Sequence, residues 1–192
     1  MKSDTTKIYP ILKPGSWEGI KAGVLHQILI GTPEKPELVL GFGYSTDTEF
    51  VFLTEEDVKG QDINQLIDDA HDNLFVEPSK FEQVEIPEVG GIVLTASGSD
   101  FASEKILAKD HLIEAQTMLN AKEILVSIPR RRCMMIVDRN AKKEVLDMFM
   151  HLHEHTWVND SFGNAPIFDG IFVVVNGSIG GIIDMKPAEK SN

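Results

Sequence analysis

Strand-length apolar segments, mostly paired around short turns, run through this chain and limit the folds that it can adopt. Each segment is rich in β-branched and apolar residues and is bounded by turn-forming residues, which is typical of β-strands. The segments are residues 8–12, 24–30, 37–44, 50–53, 81–86, 91–96, 123–128, 133–137, 171–175 and 179–184. Asn176-Gly177 lies between the last two and predicts a hairpin, because both residues tolerate a positive φ.

Three amphipathic segments separate the strand pairs and predict helices. In the first, apolar residues recur at helical spacing after Asp62, which is a suitable N-cap. The second is predicted to begin at Gly98-Ser99-Asp100, and the third covers residues 141–157. The predicted buried stripes are Ile63, Leu66, Ile67, Ala70 and Leu74 in the first helix, Ala108, Leu112, Ala115 and Leu119 in the second, and Val145, Met148, Phe149 and Leu152 in the third.

Short turns within the pairs and single helices between them predict an α+β fold. We expect a mostly antiparallel sheet of paired strands with about three helices packed against it. A doubly wound parallel sheet is the alternative. The 192 residues contain no repeat and no linker-like stretch, so one domain over residues 1–192 is expected.

The cellular compartment is predicted from cysteine content and apolar run length. Cys133 is the only cysteine, which is unusual for a secreted domain. Near the N-terminus, residues 8–12 form a short apolar run interrupted by Pro10, too short for a signal peptide. No apolar run is long enough to span a membrane. We therefore expect a cytoplasmic protein without membrane contact.

Negative charge is concentrated in one third of the chain. The net charge is -12, and residues 31–90 hold 15 acidic residues against three lysines. This surface would repel a phosphate backbone, so nucleic acid is not expected as a partner. It favours a basic protein partner, although excess carboxylates also serve solubility alone. The candidate partner-binding residues are Glu55, Glu56, Asp57, Asp68, Asp69 and Asp72.

Short motifs in the order of the segments resemble the YtpQ-like family of uncharacterised bacterial proteins. The matching words are Ile8-Tyr9-Pro10, Ala70-x-x-Asn73-Leu74, Asp100-x-Ala102-Ser103 with Ile106-Leu107, and Val126-Ser127-Ile128-Pro129. The family is typically longer at the N-terminus and has an acidic residue where this chain has Arg132. The resemblance implies a bacterial α/β domain and, since the family has no established activity, assigns no catalytic residue.

Pro129-Arg130-Arg131-Arg132 forms the best candidate anion site in the sequence. Arg130, Arg131 and Arg132 lie on a predicted turn between two strands, where guanidinium groups could bind a phosphate or carboxylate by bidentate hydrogen bonds. The alternative is that they pair with the surplus carboxylates of the chain. A small-molecule enzyme or sensor built on this turn is therefore the second functional hypothesis, beside a non-enzymatic acidic adaptor, inhibitor or immunity-type protein.

Other chemistry-bearing residues predict no metal or cofactor site. On a helix His151 and His155 share a face, whereas His153 points to nearly the opposite side, so at most two histidines converge. Gly41-Phe42-Gly43-Tyr44 lacks the third glycine of a nucleotide loop and lies within a predicted strand. Cys133 starts an apolar strand and is expected to be a small buried residue, with reactivity as the alternative.

Overall fold

The computed structural model describes residues 7–46, 48–97, 99–159 and 163–185. Its strands and helices confirm an α+β fold built on two antiparallel sheets. The elements are β1 (Ile8–Pro14), β2 (His26–Gly31), β3 (Pro36–Ser45), β4 (Phe50–Phe52), α1 (Ile63–Val76), β5 (Glu82–Ile86), β6 (Gly91–Ser97), a 3-10 helix (Glu104–Leu107), α2 (Lys109–Met118), β7 (Glu123–Ser127), β8 (Cys133–Asp138), α3 (Lys143–Val158), β9 (Gly170–Val175) and β10 (Ser178–Asp184).

The chain divides into two compact units, Met1–Pro78 and Ser79–Asn192, here called the N-terminal and C-terminal units. Each unit contains one of the two sheets, where the sequence predicted a single sheet. Local turn signals identify which strands form hairpins, but they do not determine which hairpins share a sheet. The expected single domain over residues 1–192 stays a prediction.

The N-terminal unit is built around β3, which pairs with three other strands. β1 pairs antiparallel along it from Ile8 opposite Tyr44 to Pro14 opposite Leu38, while β2 and β4 pair with its two ends. Both faces of β3 are buried over most of its length. Helix α1 packs on β1, and the Asn73 side chain donates to the Ile8 carbonyl at 3.1 Å.

Helix α1 begins as predicted at the Asp62 cap, whose carboxylate accepts from the backbone N–H groups of Asn64 and Gln65. The buried positions are Leu66, Ala70 and Leu74. Ile63, predicted in the buried stripe, is exposed, because it lies in the first turn, at the end of the buried face of the helix.

The C-terminal unit contains a six-stranded antiparallel sheet in the order β10-β9-β7-β8-β6-β5. Helix α3 lies on one face of this sheet, where Val145 and Phe149 join a core cluster with residues of five strands. The remaining members of that cluster are Ile86, Val93, Leu125, Met135, Val137, Ile171 and Val173. The predicted hairpin at Asn176-Gly177 is confirmed, with φ values of 52° and 69°.

The predicted start of the second helix is wrong. Gly98 lies outside the described residues, and the stretch after it forms turns and the 3-10 helix before α2 begins at Lys109. Ala108 has an extended backbone, with φ -93° and ψ 102°, which separates the two helices. Met148, expected in the buried stripe of α3, is exposed, and His153 is buried in that helix instead.

Gly41 and Gly43 are required by close packing within β3, not by a nucleotide loop. A Cβ on Gly41 would lie 2.7 Å from the Trp17 ring and 2.9 Å from the Phe52 ring. A Cβ on Gly43 would collide with the Val51 carbonyl oxygen and would lie 2.9 Å from the Phe52 Cα, so the neighbouring β4 backbone leaves no room for a side chain.

We predict that Gly43→Ala destabilises the protein by about 2 kcal/mol, because β4 must shift to admit the methyl group. The measurement is the free energy of unfolding from urea denaturation. Gly181→Ala is the matched control, since a Cβ at this strand glycine meets no atom within 4 Å. A loss at Gly181 equal to that at Gly43 would contradict the packing explanation.

Candidate functional site

The carboxylates predicted to bind a partner lie on and before helix α1 of the N-terminal unit. Asp68, Asp69 and Asp72 are exposed, as the apolar stripe of the helix predicts. Asp69 accepts a hydrogen bond of 2.8 Å from the Gln65 side chain four residues earlier, which fixes its direction along the helix surface.

A groove of about 650 Å³ runs beside this helix and contains part of the predicted set. Asp69 and Asp72 line it together with the capping residue Asp62, and Lys7 is the one cation among the lining residues that the structure describes. The other lining residues are Ile8, Gln61, Gln65, Leu66 and Asn73. Asp68, one step around the helix, is not part of the lining. We call this feature the α1 groove.

Glu55, Glu56 and Asp57 lie in the turns between β4 and α1 and do not line the α1 groove. Asp57 accepts from the Thr54 backbone N–H at 2.8 Å and from the Thr54 hydroxyl at 2.7 Å. These hydrogen bonds hold the pKa of Asp57 below its ordinary value. Glu56 pairs with Lys59 at 3.1 Å. Two of the three carboxylates thus have local partners.

The guanidinium group of Arg130 binds the C-terminal end of α3. Its Nε donates to the Thr156 carbonyl at 2.7 Å, Nη2 to the Trp157 carbonyl at 2.7 Å and Nη1 to the Asn164 carbonyl at 2.6 Å. The last carbonyls of a helix have no intrahelical partner and carry partial negative charge, so a cation there is favourable. Arg130 therefore caps α3, and its donors are directed at the protein itself.

The other two arginines of this turn have different surroundings. Arg132 has a left-handed φ of 64°, and its Nη2 lies 3.1 Å from the Asp100 carboxylate. Arg131 is partly buried, and its Nε has no hydrogen-bond partner among the described residues. Arg130 and Arg132 thus bind separate partners within the protein, although the sequence places the three arginines next to one another.

A buried chain of hydrogen-bonding side chains links β7, α3 and the segment before β9. Ser127 Oγ lies 2.8 Å from His153 Nδ1, and His153 Nε2 lies 3.4 Å from Asp169 Oδ1. A carboxylate oxygen accepts from Nε2–H, so Nδ1 of the neutral imidazole accepts from the Ser127 hydroxyl. Burial lowers the pKa of His153, and the Asp169 carboxylate opposes that shift.

The residue types match those of a hydrolase triad, but the geometry supports a structural role. Ser127 and His153 are fully buried, so no substrate reaches the hydroxyl in this conformation. Helical spacing separates His153 from the face that His151 and His155 share. Its spacing of four residues from Phe149 and eight from Val145 was the signal that places it in the buried stripe.

Burial affects two other side chains that could carry chemistry. His111 is buried in α2 and stacks on Phe81 with 4.1 Å between ring centroids, while its Nε2 has no hydrogen-bond partner in the described part of the chain. Burial, with the charge of Lys105, lowers the pKa of His111 to about 4. Cys133 is partly buried, and burial raises the pKa of its thiol, which disfavours the reactive thiolate.

Two negative structural findings accompany this geometry. Over the described ranges, no group of three or more His, Cys, Asp or Glu side chains is arranged to hold a metal ion. None of the helices in the described part of the chain is both long enough and apolar enough to cross a bilayer.

These features define an α+β protein with an antiparallel sheet in each unit and an acidic groove in the N-terminal one. Comparison of the chain with protein-family models, with curated proteins and with solved structures finds no match. The resemblance to the YtpQ-like family therefore stays a prediction.

We predict that Arg130→Gln lowers the free energy of unfolding by about 2 to 4 kcal/mol, because the variant cannot satisfy three carbonyls with charged donors. Chemical denaturation measures the loss. Arg139→Gln is the matched control, since Arg139 pairs with Glu123 at the surface and such pairs contribute about 0 to 1 kcal/mol. Equal losses in the two variants would contradict the capping role of Arg130.

The lowered pKa of His111 predicts a pH-dependent stability. Between pH 6.5 and about 4 the unfolded chain binds a proton at His111 that the folded chain does not bind, so the free energy of unfolding falls as the pH drops through this window. Above pH 6.5 this contribution is fully present. His111→Phe, which keeps an aromatic ring on Phe81, should reduce the fall by about 2 kcal/mol.

The measurement is urea denaturation of the wild type and the variant across that pH window. The exposed His151 provides the control, and His151→Asn should leave the wild-type pH dependence in place. A His111→Phe curve parallel to that of the wild type would show that the buried imidazole is not responsible.

Proposed function

We propose that this protein is a non-enzymatic acidic binding domain, of adaptor, inhibitor or immunity type, that contacts a basic segment of a partner protein through the α1 groove. The observation that carries the proposal is the lining of this groove, in which, over the described residues, three carboxylates accompany one cation: Asp62, Asp69 and Asp72 with Lys7. Complementary charge steers a basic partner toward such a surface and orients it there.

The charge of the N-terminal unit supports this proposal. Its sequence contains 14 acidic and six basic residues, so most of the net charge of the whole chain belongs to this unit. The field around the α1 groove is therefore negative well beyond the three lining carboxylates. A lysine- or arginine-rich segment would meet attraction along its approach as well as at the contact.

The chemistry of the groove also favours long cationic side chains. Ile8 and Leu66 contribute apolar surface to the lining, and carboxylates stand beside them. Lysine and arginine bury their aliphatic stems against apolar atoms while their charged ends stay near water and carboxylates. The α1 groove thus offers apolar surface for the aliphatic stem of such a side chain and carboxylates for its charged end.

The second hypothesis, an anionic ligand bound by Arg130, Arg131 and Arg132, gains less support. It needs the three guanidinium groups to converge, whereas Arg130 binds three backbone carbonyls and Arg132 pairs with Asp100. A cytoplasmic location remains part of our proposal, and it rests on the single cysteine and on the composition of the sequence.

Binding of a fluorescein-labelled lysine- and arginine-rich peptide, followed by fluorescence anisotropy, tests the proposal. We expect salt-sensitive binding that weakens about 5- to 30-fold in Asp69→Asn/Asp72→Asn, because each lost contact contributes about 0.5 to 1 kcal/mol. Reversal of Asp68, Asp69 and Asp72 to lysine should also abolish capture of partners from native lysate.

The matched control changes two exposed helical carboxylates of α3, Glu144→Gln/Glu154→Gln, which removes the same net charge outside the α1 groove. This variant should bind the peptide as the wild type does. Equal weakening in both double variants would indicate attraction to net charge alone, and it would contradict the assignment to the α1 groove.

A further inference from the structure

Strand β10 ends the six-stranded sheet of the C-terminal unit and carries isoleucines on both of its faces. Within the described ranges β9 is its one partner strand. Ile179, Ile182 and Ile183 are 45%, 42% and 37% exposed. Because alternate residues point to opposite faces, adjacent Ile182 and Ile183 expose apolar surface on both sides of the strand. An apolar edge strand of this kind is a template for pairing with another strand.

The opposite edge of the same sheet lacks these properties. Strand β5 is also terminal in the sheet, but Glu82 and Glu85 are exposed along it. Charged side chains on an edge strand oppose pairing with another sheet. In β10 the one charged residue is Asp184, at the end of the strand, and no lysine, arginine or proline interrupts it.

The pairing of β10 with β9 limits the part of the edge that can accept a further strand. The register shifts between Ile179 and Gly181, and from Gly181 to Asp184 the pairing is regular. A bulge bends a strand and disturbs its ladder, so the regular four-residue segment provides the straight edge.

We propose that this segment pairs antiparallel with the same segment of a second copy of the chain. The two-fold axis of such a pair is perpendicular to the sheet and keeps each residue on the same face in both copies, so the axis passes between identical residues. An axis at Ile182 places Ile182 opposite Ile182 of the other copy, with Ile183 opposite Gly181 on the other face. Asp184 then lies opposite Gly180 of the other copy, so the two carboxylates are not opposed. The result is a closed, isologous dimer with one sheet of twelve strands.

The charge pattern favours pairing of β10 with β10 over pairing of β10 with β5 between two copies of the chain. A β10 edge on the β5 edge of a second copy would leave one free edge of each kind and would continue into an open chain. It would also place Ile182 and Ile183 beside the β5 carboxylates Glu82 and Glu85. Pairing of β10 with itself avoids both outcomes.

Sedimentation velocity over a range of protein concentrations tests this proposal. The wild type should pass from 21.3 kDa to twice that mass as the concentration rises. Ile182→Lys should stay monomeric over the same range, because the substitution places two ammonium groups directly opposite each other across the interface. Val84→Lys is the matched control, since Val84 is 45% exposed on the β5 edge, and it should dimerise as the wild type does.

Hydrogen exchange of the wild type provides a second measurement that does not depend on how a variant folds. Amides of residues 181–184 should gain protection as the concentration rises, while those of β5 should not. The proposal is overturned if the wild type remains a monomer, if it forms open polymers, if folded Ile182→Lys dimerises normally, or if Val84→Lys blocks dimerisation equally.

Discussion

Burial of a polar group without a hydrogen-bond partner costs free energy, and this cost constrains how α3 lies on its sheet. An unpaired buried donor or acceptor costs about 1 to 3 kcal/mol. His153 is fully buried on α3, and Ser127 and Asp169 hydrogen-bond its two ring nitrogens. Arg130 satisfies carbonyls at the end of the same helix. Apolar contact holds α3 on the sheet, and these polar contacts determine its position along the strands.

Local patterns in the sequence predict the elements of this fold well and their assembly less well. Over the described residues, the ten strands and three α-helices follow alternation, helical spacing and turn residues, which act over a few positions and are therefore visible in one sequence. Assembly into two sheets depends on contacts between distant segments. The exposed Ile63 and Met148 show the same limit, because the neighbouring elements determine which side of an apolar stripe is covered.

The residues of the candidate site likewise fall into those whose exposure the sequence predicts and those whose role it does not predict. The exposure of Asp69 and Asp72 follows from the helical stripe, so these residues could be chosen in advance. The roles of Arg130 and Asp57 could not, because their partners are backbone groups, and a sequence does not show where a carbonyl or an N–H will point. Charged residues that look equivalent in composition therefore separate into those bonded within the fold and those that line an open groove.

Because some carboxylates are bonded within the fold and others line the α1 groove, the net charge of -12 does not describe how each carboxylate acts. If the whole charge acted as a diffuse field, every exposed carboxylate would contribute equally to the attraction of a basic partner. The carboxylates of the α1 groove instead stand close to apolar atoms of Ile8 and Leu66, where a cationic side chain gains both electrostatic attraction and burial of its stem. In the proposed function, specific recognition consequently depends on a few placed carboxylates, while the remaining charge accelerates encounter with the basic partner.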